Sequence, residues 1–272
     1  MRAVVVALTG VLLTTTACAD GGGQTPPASS PDPGAPATAL YTDFSAPTGI
    51  AFDRAGAVYV SNWSGGTVER ITPDGNRSTV AEVESPAGLA VDEAGNLYVA
   101  GYSDDVVYQV TQAGEKREFA TGFHTPTGIG FDSAGNLLVC NRASDEIMRV
   151  TPSGQVSRVA GGFDTPVGVV EDTQGTIFVS NYVGGVLSRI GGDGEVVTHS
   201  SDFEGLGVGM AVDDANRLFV TDRAAGEIKR VESDGTAVTV ASGLNSPVGL
   251  AFNGELYAAA WGDGALHRVP RG

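Results

Sequence analysis

From residue 37 to the end of the chain, short apolar runs recur in a fixed order, separated by glycine-rich turns. The repeated unit is an apolar run, a turn and a second apolar run that ends in a small residue. Its six copies are PTGIAFDRAGAVYVSN from Pro47, PAGLAVDEAGNLYVAG from Pro86, PTGIGFDSAGNLLVCN from Pro126, PVGVVEDTQGTIFVSN from Pro166, GVGMAVDDANRLFVTD from Gly207 and PVGLAFNGELYAAA from Pro247. They begin 39, 40, 40, 41 and 40 residues apart. A period near 40 with several short strands per unit is typical of β-propeller blades.

The first copy shows how one unit divides into strands. Its β-rich runs predict strand a over Gly49–Phe52, strand b over Val58–Ser61, strand c over Thr67–Ile71 and strand d over Ser78–Ala81. Asp53 opens the turn after strand a, where an aspartate can accept backbone hydrogen bonds and a glycine can supply a positive φ. Residues 37–272 are therefore predicted to form an all-β, six-bladed β-propeller of four-stranded blades.

The sixth copy lacks an outer strand, because its strand c ends the repeat at Val269. A spare β-rich segment, Ala39–Thr42, stands at the other end of the repeats. We predict that this N-terminal segment pairs as strand d of the sixth blade and closes the ring. Closure leaves no open sheet edge between the first and last blades and makes residues 37–272 one domain.

The repeated pattern x-P-x-G-[ILVM]-A-x-D, followed by G-x-[LIV]-[YF]-V, resembles the NHL repeat. It is also similar to the related propellers of streptogramin lyases and gluconolactonases. The resemblance covers residues 37–272 and implies a six-bladed propeller. It says little about activity, because this architecture carries lyases, lactonases, sensors and plain binding platforms. Function has to be sought in residues that break the sixfold pattern.

The first residues are typical of an export signal. Arg2 is followed by the apolar run Ala3–Leu13, which is too short to span a bilayer. The residues Thr15-Thr16-Ala17-Cys18 resemble the lipobox of bacterial lipoproteins, although Thr15 stands where leucine is usual. We predict a signal peptide over residues 1–17 and lipidation of Cys18. The alternative is cleavage after Ala19, which would release a free secreted protein.

Residues 18–36 are rich in Gly, Ser and Pro and include no aromatic side chain. This composition predicts a disordered tether rather than a part of the core. A lipid-anchored domain needs such a spacer. We therefore expect an extracytoplasmic protein that is held at the cell membrane only by its N-terminal lipid.

The chain has 32 acidic and 16 basic residues and a net charge of −16. A surface of this sign repels phosphate backbones, which argues against a nucleic-acid partner. The two cysteines are not expected to form a disulfide framework, because Cys18 stands at the end of the export signal. Cys140 aligns with small residues of the other copies and is expected to be a buried filler. We expect a monomer whose partner is an extracellular small molecule, a glycan or a protein.

One large planar side chain per blade follows strand b by two positions. The set is Trp63, Tyr102, Arg142, Tyr182, Arg223 and Trp261, and it contains both tryptophans of the chain. Because the b–c and d–a loops of a propeller open on one face, we expect these side chains to surround one mouth. An exposed ring of aromatic and guanidinium planes would suit a sugar, a peptide or an aromatic ligand. The alternative is that each side chain covers the core of its own blade.

Other polar positions around the expected mouth have simpler explanations. The residues just before the planar ones are expected to hydrogen-bond their own loops: Asn62, Gly101, Asn141, Asn181, Asp222 and Ala260. A divalent cation could be held by the d–a loops, which carry Ser45, Glu84, His124, Asp164, Glu204 and Asn245. The radius of a propeller separates these loops, so we expect no metal and no other cofactor.

Glu171 is the only catalytic candidate. It ends strand a of the fourth blade, where the other copies have Phe52, Val91, Phe131, Val212 and Phe252. A carboxylate placed without a partner in an apolar slot is typical of a general acid or base. The alternative is that Glu171 faces solvent or pairs with a structural arginine.

Both enzyme families that the repeats resemble use a divalent metal. Lactonases of the gluconolactonase type place some metal ligands just before the strand-a glycine, where this chain has Thr48, Ala87, Thr127, Val167, Val208 and Val248. Streptogramin lyases use a histidine and a glutamate with magnesium. In this chain the histidines are scattered: His124, His199 and His267. The sequence favours a non-catalytic binding platform, and the alternative is a metal-dependent lyase or hydrolase.

Overall fold

The computed structural model describes residues 36–192 and 194–272. Within these residues the chain forms 24 strands in six four-stranded antiparallel sheets, and the one helical turn is the 3₁₀ turn Arg142–Ser144. The sheets are the blades of a propeller, so the predicted fold is confirmed. No helix in the described part of the chain is long and apolar enough to cross a membrane. The predicted signal peptide and Cys18 lie outside the described residues, as does the predicted tether up to residue 35.

Strands a to d follow one another from the axis outwards in each blade. The first three blades consist of β2 (Pro47–Phe52), β3 (Val58–Asn62), β4 (Thr67–Ile71), β5 (Arg77–Glu82); β6 (Pro86–Val91), β7 (Leu97–Gly101), β8 (Val106–Val110), β9 (Lys116–Thr121); and β10 (Pro126–Phe131), β11 (Leu137–Asn141), β12 (Glu146–Val150), β13 (Val156–Gly161). The last three consist of β14 (Pro166–Glu171), β15 (Ile177–Asn181), β16 (Leu187–Ile190), β17 (Val196–Ser200); β18 (Leu206–Val212), β19 (Leu218–Asp222), β20 (Glu227–Val231), β21 (Ala237–Ala241); and β22 (Pro247–Phe252), β23 (Leu256–Ala260), β24 (Ala265–Val269), β1 (Thr38–Tyr41).

The N-terminal strand β1 closes the ring, as the sequence predicts, one residue earlier than expected. It pairs antiparallel with β24, so that Thr38 lies opposite Arg268 and Ala39 opposite His267. Tyr41 packs against a buried cluster that includes Phe44 and Leu266. The backbone N–H of Phe44 donates to the carbonyl oxygen of Gly264 at 3.0 Å, which ties the end of β1 to the last b–c loop.

The turn between strands a and b is held by its aspartate, as the sequence predicts. In blade one, Oδ1 of Asp53 accepts hydrogen bonds from the backbone N–H groups of Ala55 and Ala57, at 3.0 and 2.9 Å. Equivalent pairs of bonds are made in blades three to five by Asp132, Asp172 and Asp213. Arg70 on strand c pairs with Asp53 at 3.2 Å, so the arginine ties this turn to its own blade.

A ring of glycines, one on each inner strand, surrounds the axis: Gly49, Gly88, Gly128, Gly168, Gly209 and Gly249. A Cβ atom on Gly128 would lie 2.4 Å from the carbonyl oxygen of Val167 and 2.7 Å from Cα of Gly168, both in the next blade. A Cβ atom on any of the other five glycines would lie 2.2–2.6 Å from the backbone of the next blade. Only a residue without Cβ fits such a close approach, so these glycines set the radius of the propeller.

The hydrophobic core lies between neighbouring blades. One cluster, for example, joins Ala90 and Tyr98 of blade two to Ile129 and Leu137 of blade three. Cys140 is fully buried in the next cluster, which confirms its prediction as a small filler. Burial raises the pKa of the Cys140 thiol, which leaves it a poor nucleophile.

Candidate ligand-binding site

The b–c and d–a loops meet on one face of the propeller, which we call the mouth. Its ring of six planar side chains is held by one backbone hydrogen bond in each blade, from the N–H of the planar residue to a carbonyl oxygen of the d–a loop. The bonds measure 2.7–3.4 Å and join Trp63 to Ala46, Tyr102 to Ser85, Arg142 to Thr125, Tyr182 to Thr165, Arg223 to Gly205 and Trp261 to Ser246. The six predicted side chains, from here on the mouth ring, are therefore brought together.

Five of the accepting residues adopt a left-handed backbone although they are not glycine. Their φ angles are 53° for Ala46, 47° for Ser85, 52° for Thr125, 59° for Thr165 and 57° for Ser246. This conformation costs a residue with a side chain about 1–2 kcal/mol. Such strain persists where the surrounding structure imposes it, and it clusters at binding and catalytic sites. Here the strained residues are the ones whose carbonyl oxygens accept the backbone hydrogen bonds of the mouth ring.

Trp261, Trp63 and Tyr102 come from blades six, one and two and form a continuous surface, the aromatic half of the ring. The ring of Trp63 meets that of Tyr102 edge-on at 4.6 Å and lies 6.4 Å from that of Trp261. The Nε1–H group of Trp261 donates to Oγ1 of Thr48 at 3.1 Å. Edge-to-face and tilted contacts are the favoured geometry of aromatic pairs, so the three rings support one another.

Arg142, Tyr182 and Arg223 come from blades three to five and form the cationic half. The guanidinium carbon of Arg142 lies 5.8 Å from the ring centres of both Tyr102 and Tyr182, and its Nη1 donates to the Tyr102 hydroxyl at 2.7 Å. That of Arg223 lies 5.2 Å from the ring centre of Trp261. Each arginine therefore stands at one of the two boundaries between the halves.

The mouth ring surrounds a cavity of about 200 Å³. Its floor is formed by the residues before the strand-a glycines: Thr48, Ala87, Thr127, Val167, Val208 and Val248. Both floor hydroxyls are already used, since Thr48 donates to the carbonyl of Ala46 at 3.1 Å and Thr127 to that of Pro166 at 3.2 Å. The floor therefore offers a ligand an apolar surface, and neither of its hydroxyls has a free hydrogen to donate.

The side chains of the mouth ring are less exposed than the sequence analysis predicts. Only Tyr182 is exposed, at 47%, while the other five side chains are half-buried. Trp63 and Tyr102 pack against a buried cluster between blades two and three, and they also line the cavity. The two interpretations of the sequence, a platform and a cover for the core, are therefore compatible. Ligand binding by the ring stays a prediction.

The side chains one position before the mouth ring have the structural role that the sequence predicts. Oδ1 of Asn62 accepts the backbone N–H of Ser45 at 3.0 Å, and similar bonds to their own d–a loops are made by Asn141, Asn181 and Asp222. The buried Asp222 also pairs with Lys229 at 2.8 Å. Burial opposes its ionisation, but Lys229 and two backbone N–H groups hold the pKa of Asp222 below its ordinary value.

The residues at the mouth do not fit the divalent cation that the resemblance of the repeats implies. The d–a loop side chains from Ser45 to Asn245 are exposed, one per blade. In the described residues, no three His, Cys, Asp or Glu side chains converge to hold a metal ion. Two of the histidines are committed elsewhere, because Nε2 of His267 contacts Asp263 at 2.8 Å and the ring of His199 packs on Phe178.

Glu171 lies at the opposite face of the propeller, at the far end of β14. It accepts hydrogen bonds from the backbone N–H and the hydroxyl of Ser133 in blade three, at 3.1 and 2.7 Å. It therefore links two neighbouring blades and does not contribute to the mouth. Glu171 does not line the mouth cavity, and its catalytic role stays a prediction.

Three residues of the site were not predicted from the sequence to contribute to it. The hydroxyl of Ser246 accepts the Nε–H of Arg223 at 3.1 Å and so orients this guanidinium. Leu206 and Gly207 line the cavity. Leu206 takes the structural place of the proline of the other blades and pairs with Asp222. Gly207 is then one extra residue in β18. The 41-residue spacing of the fifth copy was the available signal for this insertion.

Solved structures of enzymes share this architecture. A virginiamycin B lyase from Staphylococcus aureus is similar with a TM-score of 0.67 at 16% identity, over 85% of this chain and 83% of its own. A catalytically inactive form of that enzyme, solved with quinupristin, gives 0.66 at 16% identity over 86% and 87%. A gluconolactonase from Xanthomonas campestris gives 0.76 at 18% identity over 85% and 88%. At these identities the likeness shows the fold alone.

Sequence comparison is more specific than the structural likeness. Among curated proteins, no sequence matches this chain. The sequence profile of the virginiamycin B lyase family, however, matches residues 35–269, which is nearly the whole propeller. The match runs through all six blades and includes the closing strand. This chain belongs to the virginiamycin B lyase family.

Proposed function

We propose that this propeller is a non-catalytic binding protein that holds a small planar molecule in its mouth. The observation that carries the proposal is the cavity lining, in which six stacking side chains stand above a floor of threonine, alanine and valine. Among the described residues that line the cavity, none is a carboxylate, an imidazole or a thiol. Those are the usual groups of general acid–base and nucleophilic chemistry.

The size of the cavity limits the ligand. At about 200 Å³ it is smaller than the roughly 300–1,000 Å³ of pockets that take drug-sized molecules. A one- or two-ring group can be enclosed, and a larger molecule would have to project out of the mouth. Flat aromatic rings and the apolar faces of sugars both suit such a lining. The tilted rings of the aromatic half favour an aromatic ligand, which can stack on one face and meet edges around it.

The two tryptophans make this proposal directly testable, because both belong to the mouth ring. Titration with trans-cinnamamide, a neutral planar molecule, should change the tryptophan emission and release heat in a calorimeter. Trp63→Ala and Trp261→Ala should each weaken binding by about 1–3 kcal/mol, as loss of a buried aromatic anchor does. In each variant the remaining tryptophan still reports on the mouth.

Tyr257→Ala is the matched control for these two variants. Tyr257 is a half-buried ring of blade six that lies 4.8 Å from Phe52, near the face opposite the mouth. Its loss should reduce stability without changing the affinity for cinnamamide. Unaltered affinity in both tryptophan variants, with melting temperatures reduced as in the control, would mean that the ring only covers the core.

A second candidate function is lyase activity, which family membership favours. The S. aureus relative is described as a virginiamycin B lyase and has been solved with quinupristin. The test is incubation of this protein with quinupristin, with magnesium and with a chelator. Turnover that requires magnesium would replace the binding proposal by an enzymatic one and would point to ligands outside the mouth floor. Quinupristin that binds without being converted supports the binding proposal.

We further propose that the propeller works outside the cytoplasm, anchored by lipid at Cys18. The support is the sequence alone: an apolar run, the lipobox-like residues and a Gly/Ser/Pro-rich spacer. The wild-type protein should partition into detergent, and Cys18→Ser should move it to the aqueous phase or leave it unprocessed. A mature chain that begins at Asp20 by mass spectrometry would contradict the anchor and favour a secreted protein.

A further inference from the structure

We infer that the ligand of the mouth carries a single anionic group of the carboxylate type, held by the cationic half while its apolar ring lies on the aromatic half. This inference rests on the proposed binding function and specifies the chemistry of its ligand. It follows from the donors that the two arginines leave free, from the charges around them and from their places in the ring.

Each mouth guanidinium uses only one donor in a hydrogen bond with the described residues. Arg142 donates from Nη1 to the hydroxyl of Tyr102, and Arg223 donates from Nε to the hydroxyl of Ser246. A guanidinium has five N–H donors in a fixed plane. The remaining donors of both side chains are therefore available at the cavity that these residues line. Planar paired N–H groups match the two oxygens of a carboxylate.

Neither mouth arginine forms a salt bridge with the described residues, although most other described cations do. Arg70, Arg149 and Lys229, for example, pair with Asp53, Asp132 and Asp222. In a chain with 32 acidic residues and a net charge of −16, carboxylates are plentiful. Two guanidinium groups without one, both half-buried and both on the same cavity, are thus an uncompensated charge. An anionic ligand would neutralise it.

The loops of this face carry acidic side chains, but none of them lines the cavity. Glu84, Asp164 and Glu204 are exposed on the d–a loops. A positive centre inside an acidic rim disfavours polyanions, whose further charges would meet the rim. It accepts a small molecule with one negative group. The rim therefore selects for ligand size and charge together.

The order of residues around the ring separates two kinds of contact. The aromatic half offers three adjoining rings, whereas the cationic half places a guanidinium on each side of Tyr182 in blade order. An amphipathic ligand with a flat ring at one end and a carboxylate at the other matches both halves at once. A neutral ring would leave the free arginine donors without a partner other than water.

The test compares trans-cinnamate with trans-cinnamamide, two planar molecules of nearly the same shape that differ in charge. Calorimetry should show cinnamate binding at least about tenfold more tightly, the effect expected of a charge-assisted hydrogen bond. Arg142→Met and Arg223→Met should each weaken cinnamate by about tenfold and cinnamamide by less than about twofold. Arg158→Met, which removes an exposed arginine on β13 outside the mouth, should change neither affinity.

The outcomes separate this inference from the proposed function. Equal affinities for the two probes, both lowered by Trp63→Ala, would overturn the anion site and keep the binding mouth. Tight cinnamate binding that neither arginine variant weakens would also overturn it, because the anion would then lie elsewhere. Binding of neither probe would refute both proposals. If an arginine variant fails to fold, the wild-type preference for cinnamate and its decrease with added salt still decide the matter.

Discussion

The inner strands and the mouth loops lie a few residues apart in every blade. The six copies have the same residue at the key position of the inner strand but different residues at the mouth. Along the axis all six blades place a glycine against the backbone of the next blade. At the mouth each blade makes the same backbone hydrogen bond, but the side chain at that position differs: Trp, Tyr, Arg, Tyr, Arg and Trp in blade order. The glycine is the same in all six blades because closure of the ring requires it. The mouth side chains differ between blades because the backbone there folds in the same way whichever side chain it carries.

The largest effect is expected at the axis. Gly128→Ala would place a Cβ atom 2.4 Å from the carbonyl oxygen of Val167, in backbone that cannot move without shifting the next blade. We expect a loss of at least about 3 kcal/mol or failure to fold, measured by denaturant unfolding. Gly192→Ala is the control, because no heavy atom beyond Gly192 and its chain neighbours lies within 4 Å of the Cβ position there. Similar stability of the two variants would contradict the close-packed ring.

Removal of the closing strand should be the next largest effect. A chain that begins at Ala37 keeps β1, whereas one that begins at Asp43 exposes the edge of β24 and uncovers the cluster beneath Tyr41. We expect the shorter chain to lose more than about 2 kcal/mol relative to the longer one and to associate through its open edge. Equal melting temperatures for the two chains would disprove the contribution of β1 to closure.

A smaller effect, with a defined pH dependence, is expected beneath the mouth at Asp222. Because its folded-state pKa is lowered, ionised Asp222 stabilises the fold above the unfolded-state value of about 3.9. That contribution is lost as the pH falls through the lower folded-state pKa. Asp222→Asn should cost about 1–2 kcal/mol at neutral pH and flatten the acid limb of the stability curve. Asp164→Asn, on the exposed d–a loop of blade four, should leave that limb unchanged.

The smallest effect is expected at Glu171, on the face opposite the mouth. Glu171→Gln retains an acceptor for Ser133, so stability should fall by less than about 0.5 kcal/mol in thermal unfolding. Binding of cinnamate should not change. A loss of binding or of any turnover on quinupristin would restore Glu171 as a functional residue and move the site away from the mouth.

The fold was predictable because its signals are local and repeated six times. Four of the six a–b turns carry both an aspartate and a glycine, and the closing strand was predicted within one residue of its bounds. The predicted start of the fifth copy at Gly207 was wrong by one residue, because Leu206 takes the proline position. A spacing of 41 residues shows that one residue is extra but not which one. Register at that point depends on pairing with Asp222, which only the folded sheet defines.

The residues of the site were predictable from the sequence, but their arrangement around the mouth was not. The mouth ring followed from alignment of the copies, whereas its division into two halves depends on distances around the ring. The left-handed backbone of Ala46, Ser85 and Thr165 was also invisible, because these residue types do not announce a positive φ as glycine does. Tertiary structure imposes the positive φ at these positions, so the conformational propensity of the residue types does not predict it.

The direction of β1 has a consequence for how the propeller is presented. Thr38 pairs with Arg268 near the end of β24, while Tyr41 pairs with Leu266, closer to the mouth. The strand therefore runs towards the mouth, and any chain attached ahead of Ala37 leaves at the outer edge of the opposite face. If Cys18 is held in a membrane, the anchor joins the propeller at the face opposite the mouth. Anchorage and ligand capture would then not compete for the same surface.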